Sequence, residues 1–197
     1  MTNAYYCDII KLHSMYRGSF MIERVQFFDD IVLSWMGKFH TPRRNRIMKF
    51  FSKIGDKGLV WFAMCIPLII YAPWRFFGAN VIVGLAIAHL AGEIIIKHIV
   101  ARTRPCHKLE DDQLVIKRPK YYSFPSGHTT SSFAVFAVTL FRCWPLSIPV
   151  FFIAAMIALS RMYLRVHYLT DVVAGLLLGF ACGSLSVIIF NTMTIPL

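Results

Sequence analysis

The chain has 197 residues, of which 57% are hydrophobic and 16% are charged, and its formal net charge is +11. This composition excludes an average soluble globular protein and indicates an integral membrane protein with one transmembrane domain. Because the positive charge lies among long apolar and aromatic runs, we expect an anionic lipid or a phosphate as its partner rather than nucleic acid.

We expect the N-terminal segment, residues 1–56, to lie at the membrane surface. Its first sixteen residues lack the apolar centre and the cleavage site of a signal peptide, so insertion should depend on internal spans. Residues 19–39 have helical apolar spacing, but four central charges make a lipid-buried span costly. Residues 41–58 begin with Thr-Pro and alternate basic with apolar side chains. Both stretches predict amphipathic interfacial helices. A small cap packed on the bundle is the alternative, and a sixth span is left open.

Residues 57–197 are predicted to form an all-α bundle of about five transmembrane helices. A helix needs about 17–25 mostly apolar residues to cross a bilayer. Five segments reach or approach this length: residues 57–74, 77–100, 128–144, 147–164 and 171–192. The first is short, and the third begins with hydroxyl side chains. The chain is therefore expected to be a multi-pass protein of the cell membrane, and the sequence leaves its oligomeric state open.

Small residues are expected to pack inside this bundle. Gly175, Gly179 and Gly183 form two successive GxxxG steps in the last span, which favour close contact with a neighbouring helix over a dimer interface. The cysteines are scattered and form no CxxC pair, so they indicate small core residues rather than disulfides or a zinc site. They are Cys7, Cys65, Cys106, Cys143 and Cys182.

If the spans alternate in direction, three polar clusters meet at one face of the membrane. The long polar loop 101–127 follows Lys97, and a loop of this length in a compact protein is typical of a functional element. It closes with Ser126-Gly127-His128 at the start of the third span, and residues 160–171 connect the fourth span to the fifth. Connectivity alone therefore predicts one polar site.

The side chains of these clusters predict phosphate binding. Lys97, Arg104 and Arg161 supply cations, and an arginine can bind a phosphate through two N–H donors. Ser126 and Gly127 open a helix, where free backbone N–H groups favour an anion and glycine lets the backbone approach it.

Two histidines supply the chemistry for breaking a phosphate ester. His167 precedes Asp171 by four residues, so the carboxylate can accept from one ring nitrogen while the other attacks phosphorus. His128, in the opposite cluster, is placed to protonate the departing oxygen. We therefore predict that His167 is the nucleophile and His128 the general acid.

His89, Glu93 and Lys97 are spaced by four residues and form one stripe along the second span. Glu93 ahead of Lys97 is a favourable helix pair, and an ionisable residue at this depth is a functional candidate. A supporting role that holds Lys97 and a direct role both stay open for Glu93, whereas His89 is more typical of a packing residue.

Asp111 and Asp112 have no histidine at ligand spacing, so they indicate a solvated loop and no metal site.

Three segments resemble the signatures of a known family. KHIVARTRP (97–105), PSGH (125–128) and SRMYLRVHYLTD (160–171) are similar to Kx6RP, PSGH and SRx5Hx3D of the type 2 phosphatidic acid phosphatase (PAP2) superfamily. The resemblance implies hydrolysis without metal or cofactor through a phosphohistidine, with His167 as nucleophile, Asp171 as its orienting partner and His128 as acid. The residues that it assigns to the phosphoryl oxygens are Lys97, Arg104, Ser126, Gly127 and Arg161, with Pro105 and Ser160 as supporting residues.

The hydropathy selects the membrane lipid phosphatase branch over soluble acid phosphatases and vanadium haloperoxidases, which carry the same signatures. A site at headgroup level implies a lipid phosphate, and phosphatidic acid, phosphatidylglycerophosphate and undecaprenyl diphosphate are all candidates. Two alternatives use the same residues: a lipid phosphotransferase with the same phosphohistidine, and a non-catalytic phospholipid-binding membrane protein.

Charge and resemblance disagree about which membrane face carries the site. Of the 21 Lys and Arg residues, 19 lie on the face of the predicted site, and only Arg75 and Arg142 lie opposite. The positive-inside rule then places the site in the cytoplasm. Without the phosphate-binding residues Lys97, Arg104 and Arg161 the difference is still 16 against 2. The resemblance favours the extracytoplasmic face, and on the resemblance we expect the site there.

A labelling experiment tests this expectation. Gln113, in the long polar loop, is changed to Cys in a background without other cysteines, and intact cells are treated with a membrane-impermeant thiol reagent. We expect Gln113→Cys to react in intact cells. Labelling that requires lysis would place the site in the cytoplasm.

Overall fold

The computed structural model describes residues 23–120 and 122–193. Every regular element in this part of the chain is a helix, and no strand occurs in it. Cys7 and the first sixteen residues, in which no signal peptide was predicted, lie outside the described residues. The four described cysteines, Cys65, Cys106, Cys143 and Cys182, are unpaired.

Two helices precede the bundle. Helix α1 covers residues 23–37, and α2 covers Pro42–Gly55. Helix α2 begins where expected, because the backbone N–H of Arg44 donates to the Thr41 hydroxyl at 3.3 Å and proline occupies the first turn. It packs against α7, Trp144–Tyr163. The buried Asp29 of α1 further shows that this helix contacts the bundle with a polar side chain.

Three described segments are long and apolar enough to cross a membrane: Ala72–Lys108, Trp144–Tyr163 and Leu169–Thr192. The other two predicted spans are shorter helices, α3 (Leu59–Ile70) and α6 (Gly127–Arg142). Helix α3 follows a turn in which Lys57 and Gly58 have positive φ, and it ends before Tyr71, whose backbone is extended.

Helix α6 is the centre of the bundle. It packs against α8 (Leu169–Met193), α7 and α4 (Arg75–His89). Its hydroxyl residues Thr129, Thr130 and Ser132 are buried among these helices. A helix surrounded by other helices needs little lipid-facing apolar surface, which explains the low hydropathy at the start of this predicted span.

The second predicted span changes its helical form halfway. Helix α4 continues through a π-helical segment, Leu90–Ile96, into the short helix α5, Lys97–Val100. A π turn widens the helix and is often found at functional sites. Here the π-helical segment contains Glu93 and leads directly to Lys97, so it sets the direction of both side chains.

The predicted close packing of the glycines is confirmed. A Cβ atom on Gly175, Gly179 or Gly183 would collide with the backbone of α6, at Ser126, Thr130 and Ala134 respectively. These glycines therefore let α8 lie against α6 with backbone in contact.

Gly179→Ala should destabilise the bundle because the new methyl group meets the Thr130 carbonyl, which cannot move independently of its helix. Overpacking of this kind costs about 1–3 kcal/mol, so we expect a lower Tm in detergent. Gly84→Ala is the matched control, since the nearest atom to its methyl group would be a Val138 side-chain atom at 3.3 Å, and the nearest backbone atom would lie at an ordinary contact distance of 3.7 Å. Alanine is favoured over glycine within a helix by about 1 kcal/mol, so Gly84→Ala should be near neutral. Equal Tm values for the two variants would contradict this packing.

Candidate active site

A cavity of about 970 Å³ lies where α2, the α4–α5 segment, α6 and the α7–α8 connection converge. Most of the residues predicted from the sequence line it: Glu93, Lys97, Arg104, Gly127, His128, Arg161 and His167. The other four, Pro105, Ser126, Ser160 and Asp171, are buried and do not line the cavity. The backbone N–H of Ser126 donates to the Asp171 carbonyl at 3.0 Å, so the second and third signatures are in contact.

His167 is held with one ring nitrogen toward Arg104. Its Nε2 lies 2.9 Å from Nη1 of Arg104, and a guanidinium can only donate. Nε2 is therefore the unprotonated nitrogen, and the ring proton belongs on Nδ1. Burial, together with the cations of Arg104 and Arg161, holds the pKa of His167 well below its ordinary value. The imidazole is thus neutral at physiological pH, as the predicted role of nucleophile requires.

Asp171 lies next to His167 but does not form the expected hydrogen bond in this structure. Its Oδ2 is 3.6 Å from Nδ1 of His167, and that nitrogen has no hydrogen-bond partner. The same Oδ2 accepts from the Tyr168 backbone N–H at 2.8 Å, and Oδ1 accepts from Arg102 at 2.7 Å. The four-residue spacing therefore brings the pair together, while the start of α8 and Arg102 also bind the carboxylate.

His128 has a different partner, which the sequence did not reveal. Its Nε2 is 2.9 Å from Oδ1 of Asp56, in the turn between α2 and α3. This hydrogen bond is the main reason that the pKa of Asp56 is below its ordinary value. Asp56 is therefore an anion at neutral pH, and because a carboxylate can only accept, Nε2 of His128 carries a proton. The only sequence signal was an Asp between two glycines at the predicted active-site face.

The predicted cations are buried at the cavity wall. Lys97, Arg104 and Arg161 are each 4–5% exposed. Lys97 forms an ion pair with Glu93, and Arg161 donates to the hydroxyl of Ser52 in α2. Ser52 is a second contact that motif spacing could not have revealed. The Nε of Arg161 is buried without a hydrogen-bond partner, so an anion in the cavity would supply an acceptor that this guanidinium lacks.

Glu93 also explains the glycine of the second signature. A Cβ atom on Gly127 would overlap the Glu93 carboxylate. Glycine therefore allows the close approach of a side chain from the π-helical segment, and any larger residue would require the Glu93 carboxylate to move. The structure supports the predicted pairing of Glu93 with Lys97 and places the pair against the start of α6.

The cavity continues from its basic end into an apolar region between α3 and α4. The wall there includes Phe62, Ile82, Leu85 and Ala86. His89 lies in the same wall and is exposed, so its interpretation as a packing residue is wrong.

The prediction of a solvated acidic loop is confirmed, because the Asp111 side chain is 86% exposed and pairs with Arg118.

Known proteins share this sequence pattern. A family model described as the PAP2 superfamily matches residues 77–195. The chain is 35% identical over 150 residues to an undecaprenyl-diphosphatase of Sulfolobus acidocaldarius, and the aligned region covers 75% of this chain and 71% of that protein. It is 34% identical over 139 residues to a decaprenylphosphoryl-5-phosphoribose phosphatase of Mycobacterium tuberculosis, with 68% and 73% covered.

The fold is also shared with a solved structure. The transmembrane PAP2 type phosphatidylglycerolphosphate phosphatase from Bacillus subtilis superposes with a TM-score of 0.71, at 22% identity, over 87% of this chain and 88% of that one. The family model covers more than half of this chain, and the relatives named above are phosphatases. The chain is therefore a helical membrane protein of the PAP2 superfamily.

Proposed function

We propose that the protein hydrolyses a lipid phosphomonoester or diphosphate in the membrane, through a phosphohistidine on His167. The observation that carries this proposal is the charge around the two histidines of one cavity. His167 faces Arg104, whereas His128 faces Asp56. The candidate nucleophile therefore presents an unprotonated ring nitrogen, whereas the candidate acid carries a proton on the ring nitrogen that faces a carboxylate.

In the first step, Nε2 of His167 attacks phosphorus while the bond from phosphorus to the leaving oxygen breaks. Arg104 now donates to Nε2, so its N–H groups must move to the phosphoryl oxygens when substrate binds. His128 gives its proton to the leaving oxygen. Asp171, at 3.6 Å from Nδ1, stabilises the positive charge that forms on the imidazole.

In the second step, water replaces the histidine on phosphorus. His128, now neutral, takes a proton from the attacking water, and the P–N bond breaks to release phosphate and restore neutral His167. The buried cations Lys97, Arg104 and Arg161 stabilise the negative charge of both transition states. For this reason we propose that the reaction needs no metal ion.

The apolar end of the cavity supports a lipid as the substrate. Phe62, Ile82 and Leu85 offer a surface for an acyl or prenyl chain, next to the basic end that would hold the phosphate. The names of the two sequence relatives both contain a polyprenyl group. We therefore favour a polyprenyl-linked phosphate or diphosphate over phosphatidic acid or phosphatidylglycerophosphate, with the site on the extracytoplasmic face.

Phosphate release by the purified protein tests the reaction class. We expect release from lipid phosphates or diphosphates in EDTA at the same rate as in magnesium, because protein cations bind the phosphoryl group. Addition of an alcohol acceptor separates the phosphotransferase alternative, which would form a transfer product in place of free phosphate. Activity that is lost in EDTA and restored by magnesium would contradict the proposed mechanism.

The roles of the histidines are tested by varying the leaving group. His167→Ala should abolish turnover and phosphoenzyme with every substrate. His128→Ala should retain more activity with an aryl phosphate or a diphosphate than with an alkyl monoester, because a weakly basic leaving oxygen needs little protonation.

His98→Ala is the control for these variants, since His98 is exposed and does not line the cavity. It should match wild type. Phosphoenzyme in His167→Ala, or equal losses with all leaving groups in His128→Ala, would overturn the assignment.

A further inference from the structure

Arg102 lies inside the first signature segment but occupies none of its defining positions. Its Nη1 donates to Asp171 at 2.7 Å and to the Thr170 hydroxyl at 2.8 Å. Its Nη2 donates to Asp29 at 2.8 Å and to the Gln26 amide oxygen at 2.8 Å. One guanidinium thus joins the carboxylate beside His167 to two side chains of α1.

Asp29 is fully buried, although it belongs to a helix whose charges suggested a position at the membrane surface. Besides Arg102, it accepts from the backbone N–H of Thr170 at 3.0 Å and from the Thr170 hydroxyl. Asp29 therefore binds the first turn of α8, which carries Asp171, and the arginine that binds Asp171.

The network also reaches the residue that follows His167. The guanidinium carbon of Arg102 lies 3.9 Å from the centre of the Tyr168 ring, which is within the range of a cation–π contact. The Tyr168 backbone N–H is itself a donor to Asp171. Arg102 thus restrains the segment that follows His167, through the carboxylate of Asp171 and through the ring of Tyr168.

We infer that Arg102 and Asp29 are positioning residues of the active site, and that helix α1 is part of the catalytic apparatus. Arg102 orients and neutralises the Asp171 carboxylate, and Asp29 holds Arg102. The inference rests on the proposed roles of His167 and Asp171. Neither residue lines the cavity, so both act through Asp171 and not on the substrate.

Charge burial explains why the three groups depend on one another. Asp29 and Asp171 are both inaccessible to solvent, and Arg102 is the cation that each contacts. A buried carboxylate without its partner is unfavourable and rearranges or takes up a proton. Loss of Arg102 should therefore displace or neutralise Asp171, and loss of the Asp29 charge should weaken the hold on Arg102.

The test measures kcat and KM for Asp29→Asn, Arg102→Gln and Arg102→Lys, with an aryl phosphate as substrate. Asp29→Asn keeps the side-chain shape and Arg102→Lys keeps the charge, so folded protein is available even where Arg102→Gln is unstable. Asp30→Asn and Arg118→Gln are the matched controls. Asp30 is the exposed neighbour of Asp29, and Arg118 forms an exposed pair with Asp111.

We expect kcat to fall by about 10- to 100-fold in Asp29→Asn and Arg102→Gln, as for a catalytic group displaced by about 1 Å. KM should stay within about two-fold, because the phosphate-binding cations are unchanged. Arg102→Lys should recover part of the loss. All rates refer to the monodisperse, folded fraction.

A double-mutant cycle with Asp171→Asn separates positioning from general stability. If Arg102 acts through Asp171, adding Arg102→Gln to Asp171→Asn should cost less than about two-fold more. Losses that multiply, or an Asp29→Asn variant as active as Asp30→Asn, would overturn the inference.

If His167→Ala remains active, the proposed function fails. If His167→Ala is inactive while Arg102→Gln matches Arg118→Gln, only this inference fails.

Discussion

The burial of positive charge at one end of the bundle is the constraint on which the rest of the site depends. Lys97, Arg104 and Arg161 are almost inaccessible to solvent and surround a cavity in a mostly apolar protein. Cations in such a place need acceptors, and the protein supplies a carboxylate to Lys97 and a hydroxyl to Arg161, while Arg104 donates to a backbone carbonyl and to His167. The Nε of Arg161 is buried without an acceptor, which a phosphoryl group in the cavity can supply.

Helix packing brings this charge close to the rest of the site. The glycines of α8 let α6 approach until backbones touch, so the turn at Ser126 bonds directly to the first turn of α8. The π-helical segment then directs Glu93 against Gly127. A wider α6–α8 separation would move the turn before His128 away from Asp171, so apolar packing deep in the bundle sets the geometry of the polar end.

The two helices before the bundle contribute side chains to the network around the site. Ser52 and Asp56, within and just after α2, bind Arg161 and His128, and Asp29 of α1 binds Arg102 and Thr170. An amphipathic pattern indicates which face of a helix is polar, but it does not say whether that face meets lipid headgroups or another helix. In this protein, part of the polar face meets the site.

By itself, the sequence determined the membrane class, the three signature segments and the grouping of Lys97, Arg104, His128, Arg161 and His167 at one end of the bundle. It did so because apolar length defines spans, and because alternating spans bring their connections to one side.

Only the tertiary structure decided the partners of these residues. Asp56 and His128 are 72 positions apart, Ser52 and Arg161 are 109 apart, and Asp29 and Thr170 are 141 apart. Contacts at such separations depend on how helices pack, and local spacing holds no information about them. The same reason applies to Asp171: its four-residue spacing placed it beside His167, but Arg102 and the first turn of α8 decided which atoms its oxygens bind.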